Sequence, residues 1–255
     1  MEILILAVVT LPLLTALFLK VANRFLNELL TNFITINAAL LSVAVSFFMF
    51  GYLLLDKFEP IKFELFEWYP SPQIIFEFYL DGLSGVMMIL ISGLSLVIQL
   101  FSTSYMSKDE KYTKYFEYFN FFVFSMLLLV LSGNFLVMFF GWELVGLSSY
   151  LLISFWYEKK SAAKAGNKAF ILNRIGDFGF LIGLMMILNY FETFNFVNIF
   201  ESVLIKQPSN LDLIILFLLL GAFGKSAQFP LFSWLPDAME GPTPASALIH
   251  AATMV

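Results

Sequence analysis

An all-α, polytopic membrane helix bundle of about eight transmembrane helices, the seventh of them discontinuous, is the fold class this sequence predicts. Three observations predict it. Of 255 residues, 60% are hydrophobic and 13% charged, with 32 Phe and a mean hydropathy of +0.86, more apolar surface than one soluble core can bury. The apolar residues gather in long runs, and twelve of the fourteen Lys and Arg fall between them. Finally, Lys225 stands about fourteen residues into the run that begins near Leu211, roughly 21 Å along a helix and near the bilayer centre. Pro230, Pro236, Pro242 and Pro244 follow it within twenty residues. A lysine at that depth costs on the order of 3 kcal/mol and so calls for a reason.

In chain order the eight apolar segments cover about 2–19, 30–55, 82–105, 114–131, 134–155, 166–190 and 211–234, with a last one starting near 242. The first three, within residues 1–110, carry an extramembrane connector at about 60–80. There Phe63, Leu65 and Trp68, then Ile75, Phe76 and Phe78, alternate with polar residues around Pro70-Ser71-Pro72, which predicts a surface hairpin. Asp81, in Asp81-Gly82-Leu83-Ser84, is placed to cap the third helix with its carboxylate. Residues 111–255 supply helices four to eight. Ser132-Gly133-Asn134 is short enough to make helices four and five a tight antiparallel pair.

Loop charge orients the bundle. The connectors after segments one, three and five hold Lys20, Arg24, Lys108, Lys111, Lys114, Lys159, Lys160, Lys164 and Lys168. Those after two, four and six hold only Lys57, Lys62 and Lys206. The richer set faces the cytoplasm or matrix. A formal charge of −5 leaves no basic face for nucleic acid. With no cysteine and one histidine, the chain has no disulfide, no thiolate metal site and no haem or His-cluster site to offer. No metal and no redox cofactor are expected in this chain.

Five ionisable groups lie inside apolar segments: Glu143, Arg174, Asp177, Lys225 and His250. Such groups are functional candidates and should have partners. Glu143 either forms a structural ion pair that orients helices or sets the protonation of Lys225; Ser148 and Ser149 one turn on leave room for water. Arg174 and Asp177, at i,i+3, share a helix face and can pair with each other as supporting charges. Ser246, four residues before His250, falls on the same helical face and offers a polar relay beside the imidazole. Pro230 removes an amide near Lys225, which predicts a discontinuous helix beside the buried amine. A buried cation, a broken helix and an imidazole in succession form the parts of a proton path. Separating Glu143 and Lys225 from about 4 to about 8 Å, at an effective dielectric near 20, would remove roughly 2 kcal/mol of attraction.

Three stretches carry a family resemblance: Gly141-Trp142-Glu143-Leu144-Val145-Gly146-Leu147-Ser148-Ser149-Tyr150, Asn173-Arg174-Ile175-Gly176-Asp177-Phe178-Gly179, and the run from Gly224 to Val255 with Gly241-Pro242-Thr243-Pro244 and Ser246-Ala247-Leu248-Ile249-His250. They resemble the antiporter-like membrane subunits of respiratory complex I, the NADH:ubiquinone oxidoreductase chain 5 family, and the likeness extends over nearly the whole chain. It implies that Glu143, Lys225 and His250 carry protons, with Arg174 and Asp177 as the charged pair of the sixth helix. It implies that helices four to eight form the first of two inverted five-helix repeats, the eighth cut short at Val255. The missing remainder would come from a second polypeptide or an absent segment. NADH, FMN, iron–sulfur clusters and ubiquinone would lie in other subunits of the complex. The partners implied are the other membrane-arm subunits and lipid, in the mitochondrial inner membrane or a bacterial plasma membrane. Mrp-type Na⁺/H⁺ antiporters and the chloroplast and cyanobacterial dehydrogenase share the lysine and glutamate signatures. A membrane scaffold whose charges only orient helices is the plainer alternative.

Overall fold

The computed structural model describes residues 1–70, 73–205 and 208–254. Ser71 and Pro72 of the expected hairpin turn, the connector residue Lys206 and the terminal Val255 lie outside them. Long apolar stretches become helices, α1 even with Pro12 inside it, and the α-helices and strands among the described residues follow in order: α1 (Glu2–Ala22), α2 (Glu28–Leu55), β1 (Ile61–Pro70), β2 (Gln73–Leu80), α3 (Gly82–Tyr105), α4 (Tyr112–Val130), α5 (Phe135–Ile153), α6 (Lys160–Phe191), α7 (Phe196–Ile205), α8 (Leu211–Lys225) and α9 (Thr243–Ala247). A π-helical turn, Leu248–Thr253, continues from α9. Among the described residues, the helices over Glu2–Phe25, Glu28–Leu55, Gly82–Tyr105, Phe135–Ile153 and Lys160–Phe191 are long and apolar enough to cross a membrane. The fourth expected span is α4, as long as α5 but more polar in its first half, and the seventh and eighth are the short helices α8 and α9.

Local chemistry sets the ends. Asp81 caps α3 as expected and does so reciprocally: its carboxylate accepts the Ser84 amide at 2.8 Å while Ser84 Oγ accepts the Asp81 amide at 2.7 Å. Asn134 caps α5 by accepting the amides of Leu136 and Val137. The sixth helix starts at Lys160 rather than near 166, because Ala162, Ala165 and Ala169 give the lysine-rich stretch a buried small-residue face. The connector beyond it holds a helix the pattern did not reveal, α7.

The seventh span is discontinuous, as expected, and the break lies beside the buried amine: α8 stops at Lys225, five residues before Pro230, and does not run on to 234. The Gln228 amide donates to Phe223 O at 2.9 Å, the Ala227 amide to Gly224 O at 3.4 Å, and Ala227 takes φ 47°. This is a Schellman ending with alanine in the left-handed position that glycine usually fills. The stop is therefore made by the backbone turn itself, with Pro230 only preventing a restart. At 15 residues α8 spans roughly 22 Å, less than the hydrocarbon core.

α8 is held against α6 by backbone-to-backbone packing. A Cβ on Gly176 would lie 3.0 Å from Leu220 O and 3.1 Å from Gly224 Cα, and one on Gly221 would lie 2.7 Å from Phe180 Cβ. Glycines at such crossings let membrane helices approach closely. One hydrophobic cluster, centred on α1, α3, α4 and α5, extends to Trp234 and Ile249; a second joins Phe180, Leu184 and Ile187 of α6 with Ile199 and Ile214.

The hairpin β1–β2, antiparallel with Ile61 opposite Leu80 and Phe63 opposite Phe78, docks on the α4–α5 turn. Tyr79 donates its amide to Leu131 O, and Gly133 donates to Glu77 O. Glu77 is buried at this joint, its Oε1 accepting from Asn195 Nδ2 at 2.7 Å and Asn134 Nδ2 at 3.3 Å. Burial pushes its carboxyl above the usual range; the two amide donors offset part of that, Glu64 adds to the rise and Lys62 opposes it.

Two outcomes follow from this packing. Gly176→Ala is expected to destabilise the protein by about 1–3 kcal/mol, read as a lower Tm in detergent, because backbone atoms of α8 cannot move aside as a side chain would. A raised native carboxyl value means that the Glu77 contribution to stability is full below the ordinary glutamate value and is lost as pH rises through the native one. Glu77→Gln should therefore raise Tm more at neutral than at acid pH; an offset that does not change with pH would count against it.

Candidate functional site

Three helices bring the charged residues together. Asn134 fixes the start of α5, which places Glu143 near its middle; α6 carries Arg174 and Asp177 one turn apart; and the early stop of α8 leaves Lys225 as its last residue. The glycine contacts draw α8 onto α6 so that the lysine enters the protein rather than lipid. Lys225 is 4% exposed and Asp177 is 3% exposed.

The four charges form one chain. Glu143 and Arg174 make an ion pair. Arg174 Nη1 lies 4.0 Å from Asp177 Oδ2, and Lys225 Nζ lies 3.6 Å from the same oxygen. The other Asp177 oxygen accepts the Trp142 indole N–H at 2.5 Å. The Lys225 ammonium also lies 5.7 Å from the Trp142 ring centroid, and a Cβ on Gly146 would come within 2.7 Å of it. Only glycine at 146 leaves that ammonium its place.

The expected direct Glu143–Lys225 pair is thus replaced by a relay through two intermediates. The reason lies in the helix order: Lys225 reaches α5 one turn beyond Glu143, at Gly146, while the long Arg174 side chain from α6 takes the glutamate. The Arg174–Asp177 pair expected at i,i+3 exists as the middle link, and Asp177 is the carboxylate nearest Lys225. Glu143 and Arg174 are the more open end, with side chains 20% and 39% exposed, and the guanidinium rests over Phe170.

A cavity of about 210 Å³ lies beside Lys225, lined by Met126, Leu129, Trp142, Val145, Ala222, Ser226 and Met254. It has room for several water molecules. His250 is half-buried in the π-turn with its ring 6.0 Å from that of Trp234. Among the described residues neither ring nitrogen has a hydrogen-bond partner. Ser246 is buried on α9, its amide bonded to Pro242 O. Among the described residues no hydrogen bond joins it to His250, because the π-turn changes the face that a regular helix would have shared. Trp142, Gly146 and Trp234 were not singled out from the sequence. The available signal was Trp142, well inside an apolar segment and next to Glu143; Trp234, at the end of its segment, reads as an ordinary interfacial tryptophan. Among the described residues no group of three or more His, Cys, Asp or Glu is placed to hold a metal ion.

Comparison with known proteins finds two family matches. Residues 132–255 match the family described as NADH:quinone oxidoreductase/Mrp antiporter, TM, and residues 68–116 match NADH-ubiquinone oxidoreductase (complex I), chain 5 N-terminus. NADH-ubiquinone oxidoreductase chain 5 of Metridium senile is 42% identical over 250 residues, 97% of this chain and 42% of that protein. NADH-quinone oxidoreductase subunit L of Rickettsia bellii is 40% identical over 260 residues, 97% of this chain and 40% of the relative. The chain therefore spans about two fifths of the length of these relatives. Among solved structures, the membrane-bound sulfane sulfur reductase, an archaeal respiratory complex, shares the fold at TM-score 0.85 and 22% identity over 96% of this chain and 49% of that one. The Mrp complex of Dietzia gives TM-score 0.81 at 25% identity over 97% of this chain and 27% of that one.

Removing one member of the buried pair should be worse than removing both. Asp177→Asn is expected to destabilise by about 3 kcal/mol, and adding Lys225→Met should recover most of that loss in thermal unfolding. Additive losses would mean that the two side chains do not depend on each other.

Proposed function

The chain belongs to the NADH:quinone oxidoreductase/Mrp antiporter family of membrane subunits, and from that membership we propose that it acts as a proton-translocating membrane-arm subunit of an NADH:quinone oxidoreductase. The observation that carries this reading is the Lys225–Asp177 pair, nearly closed off from solvent at the end of a broken helix and flanked by a cavity of about 210 Å³. An amine there can hold a proton, and its hold depends on the nearest carboxylate.

Arg174 is the adjustable element. It touches Glu143 and lies at the edge of contact with Asp177. With Arg174 on Glu143, Asp177 is left to Lys225. With Arg174 drawn onto Asp177, part of the carboxylate's field is spent on the guanidinium and the ammonium is held less. Moving Lys225 from 3.6 Å to about 8 Å from Asp177 removes about 2.5 kcal/mol of attraction at an effective dielectric near 20, enough to send the proton onward. Water in the cavity and His250 supply the next acceptors along the midplane. In this reading helices α4, α5, α6, α8 and α9 constitute one five-helix repeat. NADH, FMN, iron–sulfur clusters and ubiquinone belong to other subunits, whose quinone reduction drives the rearrangement at Glu143 and Arg174. The protein is a multi-pass membrane protein, assigned to the mitochondrial inner membrane or its bacterial counterpart.

The likeness to the Mrp complex supports a second reading, a subunit exchanging Na⁺ for H⁺ without electron transfer. Copurification of flavin and iron–sulfur clusters with the assembled protein separates the two. For the first reading, Lys225→Met should abolish proton translocation assigned to this subunit while the complex still assembles and reduces quinone. An unchanged ratio of protons to electrons in that variant would remove Lys225 from the path.

A further inference from the structure

Trp234 bears no charge and stands outside the ion chain, yet it contacts the residue before Lys225 on one side and packs beside the His250 ring on the other. Its side chain is fully buried. The indole N–H donates to Gly224 O at 3.0 Å, the carbonyl of the residue just before Lys225. Among the described residues that carbonyl otherwise meets the turn amides of Ser226 and Ala227, the latter at 3.4 Å. On its other side the ring lies 6.0 Å from the His250 imidazole, inclined at 36°.

We propose that Trp234 is a positioning residue for proton transfer: it ties the broken end of α8 to the π-turn and so fixes the gap between the Lys225 ammonium and the His250 ring. The inference rests on the reading of Lys225 as a proton carrier. An indole suits the task because two torsions define its whole orientation, and a buried N–H with one acceptor locks both. Gly224 is also where α8 touches Gly176, so the indole, the carbonyl and the α6 backbone form one rigid contact. A flexible side chain of equal volume would leave the Schellman turn free to rock and the two titrating groups free to separate.

The test is a double-mutant cycle in membrane vesicles that carry the assembled complex, reading proton translocation per electron. Trp234→Phe keeps a ring against His250 and deletes the N–H; it is expected to slow translocation about tenfold. In a His250→Gln background the same change should cause little further loss, because both act on one gap. Hydrogen exchange at the Ser226, Ala227 and Gln228 amides should quicken about tenfold in Trp234→Phe as the turn loosens. Wild-type translocation in Trp234→Phe, or the same fractional loss with and without His250, overturns the proposal and leaves Trp234 a packing residue. If the phenylalanine variant does not assemble, a tryptophan analogue with sulfur in place of the indole N–H at position 234 is read against the same outcomes. Lys225→Met separates the two levels. Normal transport in that variant sinks the carrier role itself, whereas an inactive Lys225→Met with independent Trp234 and His250 effects sinks only the positioning role.

Discussion

An ammonium group inside a bilayer needs a carboxylate within reach, and the rest of this structure is arranged around that requirement. Lys225 ends a helix too short to cross the membrane, where the last carbonyls of α8 favour a cation but cannot by themselves replace its water. Asp177 supplies the counter-charge at 3.6 Å. The carboxylate in turn is oriented by the Trp142 indole and shared with Arg174. Each group is therefore held by one neighbour and contested by another, a condition under which modest changes of distance redistribute protons.

Packing makes the arrangement tolerable. Glycines on α6 and α8 bring the two backbones into contact, which pulls the lysine out of lipid and against Gly146 of α5. A bulkier residue at any of these points would move the ammonium, the carboxylate or both. The left-handed Ala227 ends the helix at the residue that must be buried, and the local strain is of the kind that persists where surrounding contacts over-determine a turn. The extramembrane hairpin belongs to the same economy of support: Glu77 ties it to the start of α5, the helix that carries Glu143 and Gly146.

Much of the site was legible in the residues themselves. Glu143, Arg174, Asp177, Lys225 and His250 stand out because a charge in an apolar run is costly whatever the fold, and Asp81 stands out because a carboxylate three residues before Ser84 has a ready capping role. The partner of each charge was less legible. Arg174 and Asp177 could be paired from their spacing on one helix, but whether Glu143 meets Lys225 or Arg174 depends on the order of three helices that are distant in sequence. The break beside Lys225 was legible because Pro230 is a visible breaker, but the residue at which it falls was not, since a Schellman turn around Ala227 leaves no conspicuous signal. The helix α7 was missed because a ten-residue apolar connector reads equally well as loop.

What the sequence determined by itself is the class of molecule and its cast: a helical membrane bundle, the hairpin, and the handful of ionisable residues that cannot be lipid-facing. Those follow from transfer energies and periodicities that act on each segment separately. Tertiary structure alone decided the pairing of Lys225 with Asp177, the place of Arg174 between two carboxylates, and the contacts of Trp142 and Trp234. Such links join residues on different helices, and their existence depends on interhelical distances of a few ångströms, set by glycine contacts and a backbone turn rather than by the hydrophobicity of any one stretch.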